Sequence, residues 1–255
     1  MNSSTKNKIK FALRIIIPVV FWLSLWQIAS QIVLTVTEKD YFLPGIPQTL
    51  RSLYELAITG EFYLTILYTL LRVAVGISLG IILGVALAVL CRYVFIADAI
   101  ITPIMSIIKS TPVASFITLV WLLLDGDSLA IAIAVLMVMP IIWQNVLNGF
   151  NSIDPNLSEV ADVFQFSRFK RIRFLIAPPI IKFLIPGIIT ATGLGWKAEI
   201  AAEIMGYVKY SIGGQINDAN YHSNTPLKFA WTLVIILFSI VLERLASYFF
   251  RRFKK

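Results

Sequence analysis

The chain has 255 residues, 58% of them hydrophobic and only 14% charged, with a mean hydropathy of +0.82 and a formal net charge of +8. So much apolar surface cannot be hidden in one water-soluble core of this length, which excludes a soluble globular domain and points to a lipid bilayer. The basic residues stand at the ends of apolar segments rather than along one soluble face, so membrane topology explains the charge and argues against nucleic acid.

Lys6, Lys8, Lys10 and Arg14 precede a first apolar span over about residues 12–34 and mark the N-terminus as cytoplasmic. This start superficially resembles a signal peptide, but the apolar run is too long and shows no small-residue cleavage site, so it reads as a retained span. Residues 35–61 carry Glu38, Asp40, Glu55 and Glu61 against Lys39 and Arg51 and should face outward. Within them Leu43-Pro44-Gly45-Ile46-Pro47 forms a rigid turn, and Leu50, Leu53, Tyr54 and Ala57 give a short amphipathic helix on the membrane, read as a spacer.

A second span over about 62–91 carries Gly76, Gly80, Gly84 and Ala88 at four-residue intervals, a stripe of small residues that lets another helix approach closely. Arg72 lies one turn earlier on the same stripe and must face protein or water, since a charge facing lipid costs at least about 2.5–3.5 kcal/mol on insertion scales. Arg92 returns the chain to the cytoplasm. The third span, about 95–124, contains Pro103 and Lys109-Ser110-Thr111-Pro112. It is either a broken helix lining a cavity or a proline-kinked packing helix whose Lys109 snorkels.

Asp125-Gly126-Asp127 makes a tight outer turn, and the fourth span, about 128–149, ends near the polar Gln144 and Asn145. A charged, patterned stretch follows. Asp154-Pro155 is a helix start, with an Asp cap and a proline at the first helical position. Leu157, Val160, Ala161 and Phe164 then share one face, with Glu159 and Asp162 beside it. Ser167 can cap a second short helix bearing Arg168, Lys170, Arg171 and Arg173.

The fifth span, about 177–205, carries Gly187, Ala191, Gly195, Glu199 and Glu203 at four-residue intervals, so one stripe is first small and then acidic. Two buried carboxylates need a partner or water. Arg72 is the expected cation for Glu199, with Lys197 a second candidate. The set is either a structural ion pair between spans two and five or the polar lining of an outward-opening cavity. Residues 206–228 read as an outer loop containing a solvated His222, and the last span, about 229–250, ends in Arg251, Arg252, Lys254 and Lys255. Lys and Arg are far more numerous on the side of both termini, so six spans with cytoplasmic ends are expected.

Glu159-Val160-Ala161 and Leu175-Ile176-Ala177-Pro178 match in spacing the signature loop of the permease subunits of ATP-binding-cassette importers, and this sequence resembles that family. One position departs: the family's glycine falls on Gln165, where a Cβ opposes the left-handed turn that glycine adopts freely. Tyr68-Thr69-Leu70-Leu71-Arg72-Val73-Ala74-Val75-Gly76 is similar to the start of the permease domain in the nitrate, sulfonate and taurine branch. The resemblance covers about residues 60–250. It implies an all-α, six-span type I importer (MetI-like) fold in a bacterial cytoplasmic (inner) membrane. The permease core would be 62–250 with a coupling loop at 151–176, preceded by residues 1–61 and followed by a basic tail at 251–255.

The resemblance further implies a permease homodimer, two cytoplasmic ABC ATPase subunits and an external solute-binding protein. The cargo would be a small solute such as nitrate, a sulfonate, taurine or a vitamin precursor. Glu159, Val160, Ala161, Phe164, Gln165 and Arg168 would dock the ATPase. No Gly-x-x-x-x-Gly-Lys-Ser/Thr segment occurs, so the chain is not expected to be an enzyme, and ATP and Mg would be bound by the partner ATPase. One cysteine, Cys91, and one histidine exclude an intrachain disulfide and a Cys/His metal cluster. The rival reading is an ion-coupled transporter or channel using Arg72, Glu199 and Glu203 as a relay. It would call for inverted internal repeats, and none is evident in the sequence.

Overall fold

The computed structural model describes residues 3–37 and 42–250; the basic tail at 251–255 and the Glu38-Lys39-Asp40 stretch lie outside them. The described residues form helices joined by short turns. In order these are α1 (Ser3–Thr37), α2 (Ile46–Ala57), α3 (Gly60–Tyr93), α4 (Phe95–Ser110), α5 (Val113–Trp121) and α6 (Gly126–Asn151). Then follow α7 (Pro155–Val163), α8 (Arg168–Arg171), a π-helical turn at Ile172–Ile176, α9 (Ala177–Met205), α10 (Ile212–Tyr221) and α11 (Thr225–Phe250).

Among the described residues five stretches are long and apolar enough to cross a membrane: Ile16–Thr37, Gly60–Tyr93, Gly126–Asn151, Arg168–Met205 and Thr225–Phe249. The pair α4 and α5 supplies a sixth if it counts as one span, bent by 107°. The break falls at Thr111-Pro112 and not at Pro103, which α4 absorbs. Pro112 has no amide hydrogen and drives Thr111 out of the helical region, to φ −83° and ψ 133°. Of the two readings open for this span, the broken helix is the one observed.

The chain divides into two compact units, one of residues up to 63 with 215–234, the other of residues 64–214 with those from 235. In the first, three side chains of α1 grip the turn before α2. Trp26 Nε1 donates to the Pro44 carbonyl at 3.0 Å, Ser30 Oγ to the Leu43 carbonyl at 2.9 Å, and Gln27 Oε1 accepts from the Ile46 amide at 3.0 Å. These bonds satisfy backbone groups that a turn leaves open.

In the second unit α6 is the most enclosed of the membrane-length helices. Its Val138, Ile142, Trp143 and Val146 form a core with Ala88, Met105 and Ala191. The small-residue stripes sit where backbones approach most closely. A Cβ on Gly76 would lie 2.6 Å from Ala134 Cβ, one on Gly80 2.7 Å from Val138 Cβ, and one on Gly84 2.7 Å from the Met139 carbonyl oxygen. On α9, a Cβ on Gly195 would lie 2.8 Å from Val138 Cγ2, and one on Gly187 2.8 Å from Asn145 Cγ. Val138 is thus pinched between α3 and α9. A Gly80→Leu variant should lower the thermal midpoint in detergent by an amount equivalent to about 1–3 kcal/mol of overpacking, while Gly60→Ala, which meets nothing within 4 Å, should leave it unchanged.

Candidate functional site

The stretch from Asp154 to Pro178 is built from local capping. Asp154 Oδ1 accepts the Asn156 amide at 2.9 Å, and Pro155 opens α7. The helix ends in a Schellman pattern, in which the Phe166 amide bonds to the Ala161 carbonyl and the Gln165 amide to the Asp162 carbonyl, both at 2.9 Å. The pattern needs a left-handed residue at Gln165, which adopts φ +48°. The bend is therefore made with a side chain in place, at a cost of about 1–2 kcal/mol relative to glycine. Ser167 Oγ then accepts the Lys170 amide and starts α8, which runs through the π-helical turn into α9. Arg171 ties back to Asp162. Of the expected apolar face only Ala161 is buried; Leu157, Val160 and Phe164 are exposed, as are Glu159 and Arg168.

A polar node sits at the far end of α9. Arg72 is buried, and Glu199 and Glu203 are fully so. The expected pairing of Arg72 with Glu199 is not the one observed: Arg72 Nη1 donates to Glu203 Oε1 at 3.2 Å and Nε to Asp127 Oδ1 at 2.7 Å. Nη1 and Nη2 also reach the carbonyls of Tyr210 and Lys209, each at 3.2 Å. The reason is geometric. Arginine needs several acceptors, and these carbonyls and Asp127 gather beside Glu203, one turn beyond Glu199. Asp127, read as part of a turn, was missed; its place opposite an intramembrane arginine was the signal.

Glu203 also accepts from Thr69 Oγ1 at 2.8 Å and from the Gly213 amide at 3.0 Å. Thr69 Oγ1 in turn accepts the Ile212 amide at 3.1 Å, and Ser211 Oγ the Gly214 amide at 2.8 Å. The node thereby caps the first amides of α10, a helix within the stretch expected to be loop. Gly213 is required at this contact, because a Cβ there would lie 2.4 Å from Glu203 Cβ. Glu199 meets no hydrogen-bond donor among the described residues, and its neighbour is the Glu203 carboxyl.

Lys197 is not the partner of Glu199. It is exposed and, with Lys109, lines a cavity of about 400 Å³ at the α4–α5 break, bounded by α6 and α9. Lys109 Nζ donates to Gln144 Oε1 at 3.4 Å. Glu199 and Glu203 are not among the residues lining this cavity, so the acidic stripe does not colour it. Among the described residues no group of three or more His, Cys, Asp or Glu could hold a metal ion.

Because Glu203 takes three donors and Glu199 none, the two should respond differently to neutralisation. Glu203→Gln should destabilise the protein by roughly 3 kcal/mol, as expected when one partner of a buried pair is lost. Glu199→Gln should change stability by less than about 1 kcal/mol, since its amide can donate to Glu203. Thermal unfolding of both variants in one detergent decides; equal losses would mean that Arg72 serves Glu199 as well.

Residues 76–255 match the model of the family described as "binding-protein-dependent transport system inner membrane component". The chain is 26% identical over 222 residues to an aliphatic sulfonates transport permease protein, SsuC, of Bacillus subtilis, covering 86% of this chain and 77% of that one. It is 25% identical over 152 residues to the nitrate import permease protein NrtB of Synechococcus elongatus, covering 57% and 53%. In fold it is similar to a solved amino acid ABC transporter with histidines, at TM-score 0.59 and 15% identity over 72% of this chain and 90% of that one. It is similar also to an inward-facing MetNI methionine ABC transporter, at TM-score 0.53 and 17% identity over 76% and 94%. With the family's model covering most of its length, the chain belongs to the binding-protein-dependent transport system inner membrane components, the permease subunits of ABC importers.

Proposed function

We propose that this protein works as a homodimer, each copy carrying one ATPase subunit on the face of α7 and the pair receiving cargo from a solute-binding protein on the opposite side. The observation that carries the reading is the surface of α7: a capped helix with only Ala161 buried and with Glu159, Val160 and Phe164 presented outward. Exposed apolar side chains around one carboxylate are what a protein partner covers. Arg168 stands at the rim of that surface. The excess of Lys and Arg around α8 and in the terminal segments favours placing it in the cytoplasm, where a nucleotide-hydrolysing subunit is available.

In this mechanism ATP binding draws the two α7 helices together and hydrolysis releases them. α8 and the π-helical turn join this loop to α9 without a break, so the movement is transmitted as rigid-body rocking. The cargo is a small solute of the nitrate, sulfonate or taurine kind, the first two in keeping with the names of the relatives. The bacterial inner membrane is its place of work. The relay reading is weakened by the node itself, where Arg72 is held by four acceptors and Glu203 by three donors, so neither is free to pass an ion.

Co-purification in nanodiscs with the ATPase encoded beside this chain tests the docking surface. A stable complex that hydrolyses ATP is expected. Glu159→Arg combined with Phe164→Asp should weaken it by about 30-fold, the equivalent of roughly 2 kcal/mol for a contact at the centre of an interface. Equal binding by wild type and variant would remove α7 as the docking element.

A further inference from the structure

The cavity at the α4–α5 break combines features that the node lacks. Among the described residues its lining is apolar, with Val113, Leu136, Met137 and Leu194 among its walls, except for Lys109, Thr111 and Lys197. Both lysines are exposed, and neither pairs with a carboxylate among the described residues. They lie within segments apolar enough to cross a membrane, where an ammonium facing lipid is strongly disfavoured. A cation in such a place needs water or an anion. The first turn of α5 also borders the cavity, and α5 starts without a side-chain cap, adding the partial positive charge of a helix N-terminus.

We propose that this cavity holds the cargo during passage and that it selects a small organic anion, its acidic group between Lys109 and Lys197 and its apolar body against Leu136, Met137 and Leu194. This rests on the importer reading above. The volume of about 400 Å³ suits a molecule of a few carbon atoms with a sulfonate or carboxylate group. The break at Thr111-Pro112 creates the space, because a continuous helix would have carried Lys109 and Val113 along one unbroken wall.

The chain's single cysteine, Cys91, is buried, which permits a charge-sensitive test. Leu194→Cys places a thiol in the cavity wall. In nanodiscs of phosphatidylcholine alone, with the ATPase present, its reaction is timed with anionic sulfonatoethyl and cationic trimethylammonioethyl methanethiosulfonates, each normalised to a free thiol. The anionic reagent should react about tenfold faster, as two nearby ammonium groups in a poorly screened space would produce. Lys109→Gln with Lys197→Gln should bring the ratio close to one, and the two arginine substitutions should preserve it. Hexanesulfonate should slow the reaction, and hexyltrimethylammonium should not. A ratio near one in the wild-type background, or one unchanged by the glutamine substitutions, overturns the proposal, as does equal protection by the two hexyl ions. ATPase binding is read on the same sample. If no complex forms, the importer reading falls and the cargo role with it; if it forms and the ratio is near one, only the present proposal falls.

Discussion

A charge inside a bilayer must find a partner, and that requirement orders this protein. Arg72 enters the apolar interior from α3, and its guanidinium collects Glu203, Asp127 and the carbonyls of Lys209 and Tyr210. Glu203 in turn holds Thr69 and the start of α10. The Arg72–Glu203 pair, with the second ion pair to Asp127 and the two carbonyls, thus joins α3, the first turn of α6, the last turn of α9 and the segment after it. Removing water from both ions is expensive, and only this many hydrogen bonds make the arrangement stable. The partly exposed Asp127 contributes less than Glu203, because solvent screens it.

The close approach of helices supplies the second constraint. Lipid is as apolar as leucine, so helices in it associate through van der Waals contact and not through expulsion of water. Gly80 and Gly195 bring α3 and α9 against Val138 of α6, and Gly84 brings α3 against the α6 backbone. The node and this pinch lie on the same stripes of α3 and α9, so polar and apolar contacts reinforce one registration of the helices. At the lysine cavity the walls part instead, because Pro112 turns the chain, and two cations remain without carboxylate partners among the described residues.

Much of this was legible in the sequence, for identifiable reasons. The Asp154-Pro155 start and the Ser167 cap are local chemistry, and local chemistry is what sequence carries best. The four-residue glycine spacing marked the faces where helices meet, and Pro112 marked a break or a kink. The choice of Glu203 over Glu199 was not legible, because both lie on one stripe and spacing says nothing of where the acceptors of the following segment gather. The helix Ile212–Tyr221 was hidden by Gly213-Gly214, which read as loop residues although they are small for the sake of contact with Glu203 and the Val208 carbonyl. At Gln165 the sequence marked a conflict, and the structure answers it by keeping the left-handed turn with a side chain in place.

The energy source is the decisive property. Proteoliposomes containing this chain with its ATPase and solute-binding protein should accumulate a labelled small anion only when ATP is supplied, and should do so without any ion or proton gradient. Accumulation by this chain alone, driven by an imposed gradient and indifferent to ATP, would contradict the account and return Arg72, Glu199 and Glu203 to the role of an ion relay.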